Sequence, residues 1–238
     1  QALNILKTGV NVFLTGEPGA GKTYTINLFI EWLAEEGKEY AVTASTGIGA
    51  THINGMTIHS WAGLGIRPGP VTSNYLKALE ENNFLVLRVC GADVLIIDEV
   101  SMLSATTINN INVILTRLRG NDEPFGGLQV VFVGDFFQLP PVTKGEEMKF
   151  AFESASWKMA KPRTCYLTEQ HRQSDGPFLE ILGAMRNGVV TEKHKEILRG
   201  RANADLEGVP TELYTHNADV DRLNDEELRK LPGGPRIF

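Results

Sequence analysis

The chain has 238 residues, 42% of them hydrophobic and 22% charged, enough to bury an ordinary core and to form one large α/β domain, or one domain plus the start of another. No apolar run is long enough to span a bilayer, and the opening residues lack a basic segment followed by a long apolar one, which argues against a membrane protein and against a secreted one. The net charge of -6 speaks against a protein that coats nucleic acid by bulk positive charge, while a locally positive cleft on an acidic body stays open.

Taken in chain order, a strand is predicted at Val10–Thr15, followed by a glycine-rich turn and a helix over Lys22–Glu36 that Gly37 stops. Strands follow at Tyr40–Thr43 and Val94–Ile97, then a helix over Ser101–Arg119 with Ser101 or Ser104 as its N-cap and Gly120 as its stop. Strands at Leu128–Val133 and Arg163–Leu167 and a helix over Phe178–Asn187, capped by Asp175, complete the series. Apolar strands separated by helices imply a largely parallel sheet with helices on both faces, a doubly wound α/β domain. The polar stretch Arg199–Pro210 precedes a tail, ELYTHNADVDRLNDEELRKLPGG, that reads as one strand, a helix and a turn. Cys90 and Cys165 have no CxxC pairing and no histidine at ligand spacing, so they read as buried thiols in a reducing, intracellular compartment.

Three strand ends carry chemistry. GEPGAGKT at Gly16–Thr23 satisfies GxxxxGK[ST] between an apolar strand and a helix. Backbone N–H groups of such a turn surround a phosphate, Lys22 reaches the β- and γ-phosphates, and Thr23 ligates magnesium; the alternative is a glycine-rich turn without a ligand. VLIIDEVSML sets Asp98 and Glu99 at the end of a hydrophobic strand, where Asp98 can hold magnesium and Glu99 can activate water, unless both merely cap the next helix. VVFVGDFFQLPPV repeats the arrangement: Gln138 can bond the γ-phosphate or the lytic water, Pro140 and Pro141 stiffen the exit, and Phe136 and Phe137 read as core. Arg172 in LTEQHRQ can add a cation to the developing charge or serve as a surface residue.

The motifs GEPGAGKT, VTASTGIGATHINGMTIHSWAGLG, IIDEVSML, PFGGLQVVFVGDFFQLPPVTKG, FAFESASW and LTEQHRQ closely resemble, in the same order and at similar spacing, the Pif (petite integration frequency) family of superfamily-one helicases. That resemblance implies a RecA-like P-loop fold and ATP and Mg2+ as cofactors. It makes Gly16, Glu17, Pro18, Gly19, Ala20, Gly21, Lys22, Thr23 and Tyr24 the nucleotide cradle, with Gln1 reading adenine. Lys22, Glu99, Gln138 and Arg172 take catalytic roles, and Thr23 and Asp98 hold the metal. Thr46, Gly47, His59, Ser60 and Trp61 fall in the segment that touches single-stranded DNA. Hydroxyls and backbone N–H groups suit phosphates and an aromatic suits a base, although Trp61 and His59 read equally well as core residues on a short helix. The loops Gly65–Asn74 and Lys144–Lys149 are further candidates for DNA contact.

The implied activity is that of an ATP-dependent 5′→3′ DNA helicase in repair, recombination, replication or telomere maintenance. Its partners are single-stranded and forked or structured duplex DNA, with no membrane, in a monomer or weak oligomer, cytoplasmic in a bacterium and nuclear or mitochondrial in a eukaryote. The expected domains are a motor domain over residues 1–200 and a linker with the beginning of a second RecA-like domain over 201–238. The chain thus reads as a fragment that turns ATP over slowly by itself. A RecD-like recombination helicase, a clamp-loader-type ATPase and a non-catalytic nucleotide-binding module are the competing readings; HSWAGLG with PFGGLQ, GDFFQLPP, and the joint presence of Lys22, Thr23, Asp98, Glu99 and Gln138 count against them in turn.

Overall fold

The computed structural model describes residues 1–65, 69–142, 147–169, 176–202, 204 and 211–234. In chain order the elements are α1 (Ala2–Leu6), β1 (Val12–Gly16), α2 (Lys22–Glu35), β2 (Tyr40–Ala44), α3 (Gly47–His52), β3 (Met56–Thr57), α4 (Ile58–Trp61), α5 (Ser73–Glu80), α6 (Asn83–Gly91), β4 (Val94–Asp98), α7 (Ala105–Arg119), β5 (Gln129–Val133), α8 (Ala155–Ala160), β6 (Arg163–Leu167), α9 (Gly176–Arg186), α10 (Glu192–Arg201) and α11 (Asn217–Lys230). Short 3-10 turns lie at Val100–Met102, Pro124–Gly127 and Ala151–Glu153. The chain falls into two compact units, residues 1–180 and 181–238. Among the described residues no helix is long and apolar enough to cross a membrane.

One parallel sheet in the order β3-β2-β4-β5-β1-β6 organises the first unit. Side chains alternate across a strand, so its apolar runs feed two cores. Val94, Ile96, Val131 and Val133 join Val12 and Leu14 under Leu6 of α1 and Ile26, Phe29 and Leu33 of α2. Leu95, Ile97, Val130 and Phe132 face the other way, onto Ile108, Ile111 and Leu115 of α7 and Trp157 of α8. The expected α/β architecture with helices on both faces is therefore the one observed. Because all strands run the same way, every strand-to-helix loop that carries a motif leaves at one edge, where open α/β sheets bind ligands.

Three boundaries differ from the sequence reading. Ser101 starts no helix: it lies in the 3-10 turn, and α7 begins at Ala105 behind Ser104, whose Oγ accepts from Thr107 N at 3.1 Å. Glu99 in the left-handed conformation turns the chain first and delays the helix. Residues 211–216 form no strand, since a strand needs a hydrogen-bonded neighbour and none of the described strands pairs with them. Between β2 and β4 lie four short helices and a two-residue strand that periodicity could not show. Each of these helices opens on a side-chain cap: Thr46 accepts from Gly49 N, Thr57 from Ser60 N, Thr72 from Tyr75 N and Asn82 from Leu85 N. Asp175, expected to cap α9, lies outside the described residues.

Candidate functional site

The turn after β1 is shaped by a steric demand. Gly16 has φ +151°, and a Cβ there would stand 2.5 Å from the Leu167 carbonyl oxygen, so only glycine lets β1 pair with β6 and then bend away. The turn closes into α2 through Gly21, also left-handed at φ 85°. Lys22 Nζ folds back over it, donating to the carbonyls of Gly16 at 2.8 Å and Glu17 at 3.1 Å. A cation is thereby held at the mouth of the turn, beside Thr23 and Tyr24 at the solvent-exposed start of the helix.

At the end of β4 the Asp98 carboxylate accepts from the Glu99 backbone N–H at 2.8 Å. Burial raises the Asp98 pKa above the ordinary carboxylate value, against that hydrogen bond and the nearby Lys22 ammonium. Glu99 is also raised, first by burial and then by the negative charge of Asp98, with Asp135 adding to it and Lys22 opposing. Its backbone, at φ 53° and ψ 41°, is a left-handed position that costs a non-glycine residue on the order of 1–3 kcal/mol. Strain of that kind concentrates at functional sites.

Asp135, 1% exposed at the end of β5, was quoted within its motif but given no role by the sequence reading. Its carboxylate accepts from Phe137 N at 3.2 Å and from Gln138 Nε2 at 3.2 Å, and so fixes the loop that presents Gln138. The spacing Asp-x-x-Gln was the available signal, since an aspartate commonly bonds the chain just beyond itself. Phe136 packs against the core as expected, whereas Phe137 is 72% exposed, a correction to its core assignment: the Asp135 turn directs it outward.

Two cavities in the first unit meet along Gly21 and Tyr24. The smaller, about 380 Å³, is lined by Pro18, Gly19, Gly21, Lys22, Thr23, Tyr24, Asp98, Glu99 and Gln138. The turn, the two strand-end carboxylates and the loop glutamine, expected together from sequence, are brought together. The larger, about 790 Å³, has Gln1, Ala2 and Ile5 on one side, Ala20 with Tyr24 and Thr25 below, and the chain from Thr164 to Glu169 opposite. Gln1 thus lines a cavity contiguous with the one at the glycine-rich turn. The contribution of β6 and its exit went unpredicted, because the neighbours of a strand cannot be read from its own residues. Arg172 lies outside the described residues, as do parts of the loops 65–74 and 144–149.

The remaining candidates lie at the β2–β3 end of the same edge. Ala44 pairs with Thr57, so Thr46 and His59 each follow by two residues the end of one of two adjacent strands. Gly47 and Ser60 are exposed and Thr46 and His59 half-buried. Trp61 is different: at 3% exposure it packs in the core, as does Ile58 three residues earlier on the same short helix. Its ring offers no face to a base, which corrects its assignment as a stacking residue. Arg88, unpredicted, secures this helix by donating to the Ser60 and Trp61 carbonyls at 2.8–3.1 Å, a cation at a helix C-terminus.

The family described as PIF1-like helicase matches residues 2–196. The chain is 48% identical to the ATP-dependent DNA helicase Pif1 of Psychrobacter sp. (strain PRwf-1), over 98% of this chain and 37% of that protein. It superposes on the crystal structure of Pif1 helicase from Candida albicans with a TM-score of 0.88 at 39% identity, covering 98% of this chain and 54% of that one. For the Bacteroides Pif1 helicase in complex with ADP-AlF3 and ssDNA the TM-score is 0.85 at 31% identity, covering 98% and 58%. This chain spans about a third of the curated relative's length and little more than half of the solved chains. By the family match over residues 2–196 and this identity along nearly its whole length, the chain belongs to the PIF1-like helicase family.

Proposed function

We propose that this chain is the nucleotide-hydrolysing part of an ATP-dependent 5′→3′ DNA helicase. The observation that carries the reading is the single 380 Å³ cavity lined jointly by Lys22, Thr23, Asp98, Glu99 and Gln138. The ADP-AlF3 and single-stranded DNA held by the Bacteroides relative support it. Residues 1–200 would form the motor domain and 201–238 a linker and the start of a second RecA-like domain. Work on DNA assigns the protein to the cell interior, on single-stranded and forked or structured duplex DNA, in repair, recombination, replication or telomere maintenance.

The roles are those that the resemblance implies, and the cavity lining supports them for Lys22, Thr23, Asp98, Glu99 and Gln138. Lys22 exchanges the Gly16 and Glu17 carbonyls for β- and γ-phosphate oxygens, which a cation prefers. Among the described residues no three carboxylate, imidazole or thiolate groups gather to hold a metal unaided; Thr23 and Asp98 instead fit a magnesium ion that keeps phosphate oxygens as its other ligands. Bound there, magnesium would neutralise charge on the phosphates. Glu99 takes the proton of the attacking water, and its raised pKa makes it a stronger base than an exposed carboxylate. Gln138, held by Asp135, contacts the γ-phosphate or that water, Arg172 adds a cation to the same phosphate, and Gln1 reads the base in the larger cavity. Thr46, Gly47, His59 and Ser60 form the strand-facing surface.

The test is ATP hydrolysis by the full-length parent protein with and without single-stranded DNA, followed by unwinding of substrates with a 5′ or a 3′ tail. Strong stimulation with unwinding from the 5′ tail is expected. Equal rates with and without DNA would transfer the reading to an assembly-type ATPase, and unwinding from the 3′ tail would reverse the direction.

A further inference from the structure

The sharpest unexplained feature of the first unit is an idle hydroxyl beside the strained residue. Ser45 Oγ is buried with no hydrogen-bond partner. Leaving a buried donor unmade costs about 1–3 kcal/mol, and native proteins keep few such groups without reason. Ser45 directly follows Ala44, whose register partner is Asp98, and its own backbone N–H donates to the Asp98 carbonyl at 3.1 Å. It therefore sits alongside the Asp98–Glu99 step.

The chain then folds back over the same step. Thr46 Oγ1 accepts from Gly49 N at 3.0 Å, drawing the first turn of α3 down. A Cβ at Gly49 would lie 3.1 Å from Thr46 Oγ1, 3.2 Å from Ala44 Cβ and 4.0 Å from Glu99 Cγ. Any side chain at this position would fill the space beside the stem of Glu99 and press on the cap. Two independent features of one turn thus flank the same step: Ser45, with its idle hydroxyl, is bonded through its backbone to Asp98, and Gly49 stands beside the stem of Glu99.

We propose that Ser45 and Gly49 are positioning residues for Glu99: Gly49 leaves its stem room to swing, and the Ser45 hydroxyl donates to its carboxylate in the hydrolysing conformation. This rests on Glu99 acting as the base. The same turn carries Thr46 and Gly47, so a strand held there presses on Glu99 through Ser45 and Gly49, a route to the hydrolytic carboxylate separate from Gln138.

The experiment uses the full-length parent with saturating ATP and a single-stranded oligonucleotide. Ser45→Ala is expected to lower kcat about tenfold, basal and DNA-stimulated alike, while KM for ATP and affinity for the oligonucleotide stay within about twofold. Its thermal midpoint should hold or rise, because an unpaired hydroxyl has been removed. Gly49→Ala should lower the same kcat, again without a matching change in KM. In a Glu99→Asp background, whose shorter carboxylate no longer meets the hydroxyl, Ser45→Ala should cost nothing further. Full turnover by Ser45→Ala, a loss of folding in that variant, or additive losses in the double variant would each overturn the proposal. Glu99→Gln separates it from the reading on which it rests: retained hydrolysis there removes both, whereas an inactive Glu99→Gln beside a fully active Ser45→Ala removes only this inference.

Discussion

The two halves of the sheet's carboxyl edge use different residue types for different ends. Where β1, β4 and β5 finish, polar groups restrain one another: Lys22 rests on carbonyls, Asp98 on the Glu99 N–H, and Asp135 on Phe137 and Gln138. Around β2, β3 and the short helices after them, hydroxyls cap helices and the aromatic is sunk in the core. The first arrangement concentrates charge around a cavity, and the second builds a thin shelf of backbone and hydroxyl groups over packed side chains. Loss of one charged group should therefore destroy chemistry at the first half, and loss of a helix cap or of the buried ring should loosen the fold at the second.

The largest expected effect is at Glu99. In the full-length parent, Glu99→Gln keeps the volume and removes the base, so the hydrolysis rate should fall about 10²–10⁴-fold with ATP affinity retained. Steady-state hydrolysis beside equilibrium binding of a fluorescent ATP analogue reads both. An equal fall in affinity would mean that Glu99 holds the nucleotide rather than activating water.

Trp61 tests the other half. Trp61→Ala should cost about 3–5 kcal/mol of stability, as large aromatic truncations in cores do, whereas Ser60→Ala one position earlier should stay within about 0.5 kcal/mol. Chemical denaturation measures both. If Trp61→Ala kept full stability and lost only single-stranded DNA binding, the buried ring seen here would not be its resting state.

The same contrast governs what could be read from sequence. β1, β4 and β5 are unbroken apolar runs ending in the motif residues, so strand, turn and cavity lining were legible together. Asp135 was overlooked because its work is internal, and the larger cavity because it needs β6 set beside β1, a pairing that no local pattern encodes. From β2 to β4 the chain turns over every few residues, too briefly for a helical period, and the informative signal was instead the repeated Thr or Asn cap. Trp61 was ambiguous for a physical reason: on a four-residue helix a ring can face either way, and the packing of Leu79, Leu85 and Val89 around the same core decides it.

Those caps give a smaller prediction. Thr57→Ala removes the acceptor for Ser60 N and should cost about 1 kcal/mol, the usual worth of an N-cap, measured by the denaturation midpoint. Thr57→Ser should recover most of it. An unchanged midpoint for Thr57→Ala would mean that core packing of Ile58 and Trp61 alone holds α4.

The smallest effect is a pH dependence at His59, on the same helix. Burial lowers its pKa below the ordinary 6.5, because a desolvated imidazole resists taking a charge. Between the lowered folded value and 6.5 the unfolded chain binds the proton more readily, so protonation favours unfolding. Stability from this residue is complete above pH 6.5, declines as the pH falls through the window, and levels off below the folded value. Denaturation midpoints of the parent and of His59→Gln, taken at intervals from pH 7.5 to about 5, should converge toward the acid end, since only the parent carries this slope. Parallel curves would mean that the imidazole titrates like an exposed one, and that the shelf around α4 is more open to water than the buried Trp61 beside it.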